Sequence, residues 1–391
     1  MENLFTRVDR SGTGSEKWAI MPQCVREKGG MPLSVADMEV PTAPVIIDAM
    51  VDAAKHGVVG YTGPDAEYLS AVCGWIRRHH GYEVAPEAIS CTFGVVAALN
   101  VCIRTYTKEG DGVIIQTPVY PPFHNAVKQN GRVLVENPLI CKDGVYTMDF
   151  EDLRVKAADP NNKMLILCSP HNPIGRVWTK EELMELGRIC KENGVLVISD
   201  EIHYDLALTE EKPHHMFGSL GKEFEDNCVM CTALSKTFNL AGLHCSNILI
   251  PNEELRKQFK ARVAIEGFSG IPYFAYKATI AAYTKADDWY FSMLDFIRAN
   301  AKACADHIAK RIPQAVVSPL EGTYLLWVDL TFLGLTGDAF SDFLCSEAGI
   351  CVNNGGRFGI MGEGFIRINL ATEAKDLIYA IDCLADAIGR R

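Results

Sequence analysis

Asn172, Asp200 and Lys236 are three polar residues that each stand shortly after an apolar run of the sequence. A lysine amine kept partly out of water is held in its neutral form, which can attack a carbonyl carbon. A carboxylate and an amide held nearby can bind the polar atoms of a ring or a substrate. Each residue alone has an ordinary explanation, since asparagine before proline forms turns, aspartate caps chain ends and lysine covers surfaces. Their order and their common position after apolar runs favour a shared site.

Further residues of useful types occur in the same part of the chain. Tyr120 lies beside prolines just after an apolar run, where its ring could stack on a flat ligand. Gly94, Val95 and Val96 stand at the start of a helical pattern, and the free N–H groups of a helix N-terminus bind phosphate. Ser235 precedes the lysine and could add a hydroxyl to the same phosphate. These groups together suit a phosphorylated aromatic aldehyde.

Pyridoxal phosphate is the cofactor that this set of residues predicts. Lys236 would form a Schiff base with its aldehyde. Asp200 would stabilise a protonated pyridine nitrogen, which makes the ring an electron sink. Asn172 would donate to the ring hydroxylate. No metal site is predicted, because the one CxxC, Cys228 to Cys231, lies in an apolar run and no second pair follows at zinc spacing; both residues are expected to lie in the core.

The elements that must position these residues alternate between strand and helix. From about 85 to 285, short apolar runs predict strands, and helical patterns separate them. One of these helices begins after Thr179 and ends near Gly194. Continuous apolar strands indicate a mostly parallel mixed sheet covered by helices on both faces, whose carboxyl edge binds ligands. The candidate strands are 112–116, 132–136, 163–168, 195–199, 227–234 and 246–250.

The last hundred residues have a different pattern. A long helical pattern at 289–312 is followed by candidate strands at 322–330 and 364–371. We therefore predict an α/β chain with two domains, and expect the N-terminal segment to join the second. The large cofactor-binding domain would span 47–285, and a smaller α+β domain would combine 1–46 with 286–391. The chain has no GxGxxG after the first strand and no GxxxxGK[ST], which argues against a dinucleotide-binding site and a P-loop nucleotide site.

Composition excludes several other classes of function. The 391 residues carry a net charge of −11 without a basic run, which argues against nucleic acid and anionic membranes as partners. No apolar stretch is long enough to span a bilayer, and the first residues lack the apolar core of a signal peptide. The 14 cysteines occur singly in apolar segments, which favours the cytoplasm. The pairs His79–His80 and His214–His215 have no nearby carboxylate pattern, so we predict that they lie on the surface.

Ten segments of the chain resemble those of a known family. The most specific are "SPHNPIGRVW" (169–178), "SDEIHYDL" (199–206) and "SKTFNLAGL" (235–243), and two more are "KW" (17–18) and "LSVADMEVPTAP" (33–44). Together the segments cover nearly the whole chain. The sequence resembles the fold-type I, aspartate aminotransferase-like enzymes that use pyridoxal phosphate. Within them it is most similar to the MalY/PatB-type cystathionine β-lyases, a group of C–S lyases.

The resemblance implies a role for several residues around the cofactor. Lys236 would be the Schiff-base lysine and the proton shuttle, and Asp200 would pair with the pyridine nitrogen. Asn172 and His203 would contact the ring hydroxylate, with Tyr204 as the alternative to His203. Tyr120 would stack on the ring.

Three positions concern the substrate, the phosphate and the partner subunit. Arg367 in "FIRINLA" resembles the arginine that binds the substrate α-carboxylate, as a bidentate guanidinium can. Tyr61 resembles the tyrosine that reaches the phosphate in the neighbouring subunit, which implies a homodimer with shared active sites. His244 stands where aminotransferases commonly carry a phosphate-binding arginine, and whether it contributes or only packs is left open. The leaving-group pocket is expected near Val35–Ala36.

The implied reaction is an α,β-elimination. L-Cystathionine or a related S-substituted cysteine would yield pyruvate, ammonia and a thiol. The alternative is an aminotransferase of amino acids, which would use the same lysine, acid and arginine but would need a keto acid acceptor. A regulatory or binding protein on the same fold is a third reading, and it would be expected to lack Lys236 or Asp200, both of which are present.

Overall fold

The computed structural model describes residues 4–268 and 270–391. Within them the strands, in chain order, are β1 (Ile89–Thr92), β2 (Gly112–Ile115), β3 (Val133–Glu136), β4 (Ile140–Lys142), β5 (Val145–Thr147), β6 (Asn162–Cys168), β7 (Leu196–Asp200), β8 (Cys228–Thr232), β9 (Ser246–Leu249), β10 (Val316–Val317), β11 (Leu325–Asp329), β12 (Asn353–Asn354) and β13 (Phe365–Asn369).

The helices are α1 (Glu16–Ala19), α2 (Gln23–Glu27), α3 (Pro44–His56), α4 (Ala66–His80), α5 (Val95–Tyr106), α6 (Pro121–Gln129), α7 (Phe150–Ala157), α8 (Lys180–Glu192), α9 (Lys222–Glu225), α10 (Leu234–Thr237), α11 (Glu253–Ile265), α12 (Tyr273–Lys285), α13 (Asp287–Arg311), α14 (Gly337–Asp342) and α15 (Ala374–Gly389).

A seven-stranded mixed sheet forms the centre of the fold. Its strand order is β1–β9–β8–β7–β6–β2–β3. The five strands from β8 to β3 pair in parallel, whereas β9 runs antiparallel to both of its neighbours. The six strands predicted from the sequence are all present in this sheet, and the predicted mostly parallel α/β architecture is confirmed.

Both faces of this sheet are buried, as continuous apolar strands require. Along β6, Met164 and Ile166 join one core, which includes side chains of α5 and α6. The alternate residues Leu165 and Leu167 join a second core, which includes side chains of α4, α8 and α12. This two-residue alternation follows from strand geometry, which sends successive side chains to opposite faces. Cys228 and Cys231 are fully buried in β8, so the prediction that they belong to the core is confirmed.

A helix predicted from its end signals begins as expected. The Thr179 side chain accepts a hydrogen bond from the Glu182 backbone, and the Glu182 side chain accepts one from the Thr179 backbone. This reciprocal capping box satisfies two N–H groups that the first turn of α8 would leave free. Gly194 follows with a φ of +68°, a left-handed conformation that ends helices. The helix therefore returns the chain directly to β7.

A smaller antiparallel sheet has the order β10–β11–β13–β12. One of its faces packs with side chains of α13 and α15, including Ile308 and Leu384. Trp327 and Phe365 on the other face join a core shared with the central sheet. The long helix and the two strands predicted in this region are present. The division into 47–285 and 1–46 with 286–391 stays a prediction. Of the helices described, none combines the length and the apolar character needed to cross a membrane.

Candidate active site

The carboxyl ends of three adjacent strands bring the predicted polar residues together. Strands β6, β7 and β8 are neighbours in the sheet and run in parallel. Asn172 follows β6, Asp200 is the last residue of β7, and Lys236 lies in the short helix that follows β8. Ligands bind at this edge in open sheets of this type. The three residues predicted from separate segments therefore share one end of the fold.

The Lys236 amine is half-buried and donates a hydrogen bond to the Ala36 carbonyl over 2.6 Å. Loss of surrounding water lowers the pKa of Lys236 to about 8. The negative charges of Asp37 and Asp200 act in the opposite direction, and the positive charge of Arg367 adds to the lowering. The amine consequently spends a substantial part of its time neutral near physiological pH. A neutral amine is the form that can act as a nucleophile or accept a proton.

Asp200 is a buried carboxyl group, and no cation among the described residues hydrogen-bonds to it. Its Oδ1 accepts a hydrogen bond from the Ile202 backbone N–H over 3.1 Å. Burial raises the pKa of Asp200 to about 7, and the Ile202 N–H and the charge of Lys236 offset part of that rise. A cation placed beside this carboxylate would reverse the shift, because an opposite charge favours the ionised form. The site is therefore built to accept a positively charged group.

Arg367 projects from β13 of the smaller sheet into the same site. Its Nη1 donates to the Asn172 Oδ1 over 2.8 Å, and its Nη2 donates to the Ser34 carbonyl over 2.9 Å and to the Asn353 Oδ1 over 2.6 Å. The Phe358 ring lies 4.7 Å from the centre of the guanidinium. The Nε atom is buried without a partner among the residues described. Arg367 is thus rigidly held while part of its donor capacity remains for a ligand.

Tyr120 and His203 border the same site. Tyr120 is half-buried at the N-terminus of α6, and burial together with the charge of Asp200 raises the pKa of its hydroxyl. His203 is buried, and its Nδ1 has no hydrogen-bond partner within the described residues. Burial and the positive charges of Lys236 and Arg367 hold the pKa of His203 far below its usual range. His203 is therefore neutral and can accept or donate one hydrogen bond at each ring nitrogen.

The alternative to His203, Tyr204, is engaged elsewhere. Its hydroxyl lies 3.2 Å from the Tyr283 hydroxyl, and its ring stacks on His80 with centroids 4.5 Å apart. Tyr204 is fully buried in these contacts. Of the two neighbouring residues, His203 is the one with a free polar atom at the site.

The start of α5 provides a turn suited to phosphate. Gly94 is the N-cap of this helix with a φ of +96°, a conformation that favours glycine. The backbone N–H groups of Val95 and Val96 follow in the first turn, where they have no partner inside the helix. Ser235 is buried in α10, and its hydroxyl makes no hydrogen bond with the rest of the described chain. Free amides and a free hydroxyl are the groups that a phosphate dianion requires.

Residues 28–384 match the family model for aminotransferase class I and II. The chain belongs to this family. It is 40% identical over 367 residues to cystathionine beta-lyase PatB of Bacillus subtilis, covering 94% of this chain and 95% of the relative.

Solved structures agree with this assignment. Cystalysin from Treponema denticola, which contains pyridoxal 5′-phosphate, is 37% identical and superposes with a TM-score of 0.95 over 100% of this chain and 99% of its own. The pyridoxal phosphate-bound C–S lyase from Staphylococcus hominis is 32% identical, with a TM-score of 0.92 over 99% of this chain and 98% of its own. The predicted family, its fold and its pyridoxal phosphate cofactor are confirmed.

The burial, pKa values and hydrogen bonds of the site residues in this aminotransferase-family chain also fit pyridoxal phosphate. A buried acid without a cation, a lysine with a lowered pKa and a helix N-terminus with free amides meet at one edge. His203 Nδ1 and Arg367 Nε are buried polar atoms that lack partners among the described residues. A buried polar atom without a partner is costly, and a ligand bound at this edge could supply the partner that these two atoms lack.

Tyr61 does not reach the site of its own chain. It lies between α3 and α4 and is fully exposed, and its neighbours Val58 and Val59 are also exposed. His244 is also exposed, with a φ of +47°.

None of the four histidines predicted to lie on the surface is exposed, so that prediction is wrong: His214 is buried, and His79, His80 and His215 are half-buried. His80 lies 2.8 Å from the Asp205 Oδ1, and His214 lies 3.0 Å from the Glu201 Oε2. His80 and Asp205 are 125 residues apart in sequence, so no local carboxylate pattern could reveal the pairing. His79 is half-buried as well, 3.0 Å from Asp287.

Asp205 supports α10, the short helix that carries Lys236. Its carboxylate accepts hydrogen bonds from the Thr237 hydroxyl over 2.6 Å and from the Trp75 indole over 3.0 Å, in addition to the contact with His80. Thr237 follows Lys236 directly in α10. The fully buried Asp205 therefore anchors α10 next to Lys236, a role that residue types alone did not indicate.

Proposed function

We propose that this chain catalyses the α,β-elimination of L-cystathionine and related S-substituted cysteines, releasing pyruvate, ammonia and a thiol. The broader class, a pyridoxal phosphate-dependent carbon–sulfur lyase of the cystathionine β-lyase type, is the activity of the chain. The observation that carries the proposal is the meeting of Lys236, Asp200 and Arg367 at one edge of the sheet. This occurs in a chain that is similar to C–S lyases over nearly its whole length.

The roles that we propose for the cofactor-binding residues follow from their contacts. Lys236 would bind the aldehyde carbon, and Asp200 would ion-pair with the ring nitrogen. Asn172 and His203 would contact the ring hydroxylate, and Tyr120 would stack on the ring. When bound, pyridoxal phosphate supplies an electron sink for the electrons left when the α-proton departs.

The phosphate would be held at the start of α5. The N–H groups from Gly94 to Val96 would bind its oxygens, and the Ser235 hydroxyl would add a donor. The only other donor that we assign to the phosphate is Tyr61 of a second subunit.

Lys236 and Arg367 would act on the substrate. Arg367 would bind the α-carboxylate with its guanidinium, which is fixed by Asn172, Ser34 and Asn353. The amine of Lys236, with a pKa of about 8, is neutral often enough to take the α-proton and basic enough to hold it. A fixed carboxylate and a nearby base together set the face of the α-carbon from which the proton leaves.

Arg357 favours a leaving group that carries a carboxylate. It belongs to the 3₁₀ turn Gly355–Phe358, whose last residue packs on the Arg367 guanidinium. Arg357 is exposed, has no ion pair among the described residues, and its charge contributes to lowering the pKa of Arg367 to about 10, after the larger effect of burial. L-Cystathionine has a second carboxylate at its far end, whereas S-alkylcysteines do not. The sequence did not reveal this second cation beside the site.

The homodimer belongs to the same proposal. Tyr61 is fully exposed within a group of exposed apolar side chains that includes Ile47, Val51, Val58 and Val59. An exposed apolar surface of this kind suits a symmetric contact with a second copy. Mixing inactive Tyr61→Ala and Lys236→Ala subunits should restore about a quarter of the wild-type activity, because half of the dimers would contain one intact site. No recovery after confirmed subunit exchange would remove Tyr61 from the shared site.

The alternative activity is amino-acid transamination. It would use the same lysine, acid and arginine, and the family description covers it. The two reactions differ in what they consume, since transamination needs a keto acid acceptor and elimination does not. Pyruvate release from L-cystathionine without added keto acid therefore tests the proposal directly.

Two further expectations remain proposals. We propose that the protein works in the cytoplasm, which agrees with 14 free cysteines, of which eight are buried. We also propose that 47–285 and 1–46 with 286–391 form the two domains, with the site between them. Limited proteolysis that releases fragments with these boundaries would support the division.

A further inference from the structure

The segment from Ser34 to Val40 forms one wall of the active site through its backbone. Its carbonyl groups accept hydrogen bonds from Arg367 at Ser34 and from the Asn369 amide at Val35 and Asp37. The Ala36 carbonyl accepts from Lys236 over 2.6 Å and from the Tyr324 hydroxyl over 3.0 Å. The motif "LSVADMEVPTAP" (33–44), in which the sequence analysis expected the leaving-group pocket, therefore lies against the reactive amine.

Two cations from outside this segment, Arg10 and Lys17, fix it by binding two of its acids, Asp37 and Glu39. Lys17 is 1% exposed, and its amine lies 3.0 Å from the Glu39 carboxylate and 3.3 Å from the Asp37 carboxylate. Arg10 binds the same two acids over 2.9 and 2.8 Å. Trp18 donates its indole N–H to Glu39. The "KW" motif at 17–18 is thus the centre of a buried ion cluster, which we call the N-terminal cluster: Arg10, Lys17, Asp37 and Glu39.

The balanced charges of the N-terminal cluster suit it to holding the backbone of this segment in place. It contains two cations and two anions, so its net charge is zero. Buried ion pairs contribute little net stability, because desolvation offsets their attraction, yet they fix geometry well. Burial alone would raise the pKa of Asp37, but Arg10 and Lys17 outweigh that effect and hold the pKa of Asp37 below its usual value. Asp37 therefore stays ionised next to the carbonyl that faces Lys236.

We propose that the N-terminal cluster positions the Ala36 carbonyl as the resting acceptor of the Lys236 amine. The charges of Asp37 and Lys17, which the cluster holds beside that carbonyl, act on the same amine. In this role Lys17 and Asp37 are positioning residues that act through Lys236. The Ala36 carbonyl gives the amine a defined place whenever the amine is free. The inference rests on Lys236 being the lysine that binds the cofactor.

If the two charges act on Lys236, removing each of them should shift the pKa of its amine in opposite directions. Simple loosening of the segment would not produce opposite shifts. Besides Asp37 and Lys17, the charged groups that act on the Lys236 amine are Asp200 and Arg367. Asp37→Asn removes a negative charge, which should lower the pKa of the Lys236 amine by about one unit. Lys17→Met removes a positive charge, which should raise it by a smaller amount. Loosening the segment would instead let water reach the amine and raise the pKa in both variants.

The amine can be measured directly in the cofactor-free protein. Trace labelling with isotopic acetic anhydride from about pH 6 to about pH 11, followed by mass spectrometry of the Lys236 peptide, gives the pH midpoint of its reactivity. The expected result is a downward shift for Asp37→Asn and an upward shift for Lys17→Met. The double variant Lys17→Met/Asp37→Asn should return towards the wild-type midpoint, because it removes one charge of each sign.

A matched ion pair on the protein surface serves as the control. Lys302 and Asp306 lie 2.6 Å apart on the exposed face of α13. Lys302→Met and Asp306→Asn should leave the midpoint of Lys236 unchanged. Shifts in the same direction for the two cluster variants, or a double variant with the largest shift, would overturn the charge-tuning role. Midpoints equal to those of the surface controls would overturn the whole inference.

A second measurement separates this inference from the lyase proposal. Stopped-flow absorbance of pyridoxal phosphate binding to the cofactor-free variants reports how readily Lys236 captures an aldehyde, without any substrate. The rate at neutral pH should rise for Asp37→Asn, because more of the amine is neutral, and fall for Lys17→Met. Both readings remain interpretable if no pyruvate forms, so failure of the elimination reaction and failure of the positioning role can be told apart.

Discussion

Removing the Lys236 amine should change the stability of the cofactor-free protein in a pH-dependent way. Burial lowers the pKa of Lys236 from 10.5 to about 8, so the unfolded chain binds a proton more readily than the folded chain. A protonated amine in the folded protein therefore costs stability, and the cost is complete below about pH 8. It fades as the pH rises towards 10.5, where the amine is neutral in both states.

The size of the effect follows from the same values. One pKa unit corresponds to about 1.4 kcal/mol, which gives a cost of about 3 kcal/mol near pH 7. Because the amine is half-buried and solvent screens it, about 2 kcal/mol is a fairer figure. Lys236→Met removes this cost but also removes the hydrogen bond to Ala36, a loss of about 1 kcal/mol. The variant should be more stable than the wild type by about 1 kcal/mol near pH 7.

The assay is urea unfolding of the cofactor-free proteins at equal concentrations, at about pH 7 and about pH 10. Between these values the advantage of Lys236→Met should fall by about 1.5 kcal/mol, because the wild type stops carrying the buried charge. Lys302→Met, which alters an exposed lysine, should show no such change. A stability difference between Lys236→Met and wild type that is independent of pH would refute the reasoning.

Three more predictions concern single residues. Arg367→Lys should lower kcat/KM for L-cystathionine by about a hundredfold while the absorbance of the bound cofactor stays unchanged, because lysine cannot bind a carboxylate in bidentate geometry; an altered cofactor spectrum would argue against this role. Asp205→Asn should lower the urea midpoint and kcat together, since its carboxylate accepts three hydrogen bonds and anchors α10; a stable variant with normal kcat would contradict that anchoring. Arg357→Ala should raise KM for L-cystathionine by about tenfold but leave KM for S-methylcysteine unchanged; equal effects on both substrates would exclude recognition of the distal carboxylate.

The sequence predicted the parts of this site that depend on local patterns. Apolar runs located the strands, and the residues that follow them were assigned to one sheet edge because parallel strands share that edge. Asn172, Asp200 and Lys236 are of this kind. So is the helix N-terminus at Gly94, where a glycine begins an apolar helical pattern.

What the sequence could not predict depends on long-range contacts and on backbone groups. Every residue has a backbone carbonyl, so the sequence does not indicate that the Ala36 carbonyl is the direct partner of the Lys236 amine. The pairing of His80 with Asp205 joins residues that only the packed fold brings together, and this is why a surface position was wrongly predicted. The N-terminal cluster likewise depends on Lys17 meeting acids 20 and 22 residues later in a buried environment.

The central claim is that this chain breaks the carbon–sulfur bond of a cysteine derivative. The most direct test is pyruvate release from L-cystathionine by the purified, pyridoxal phosphate-loaded protein, with no keto acid present. Sustained turnover, abolished by Lys236→Ala, is the predicted result. Absence of pyruvate, together with a cofactor absorbance that changes with substrate and returns only when a keto acid is added, would contradict the claim and identify an aminotransferase.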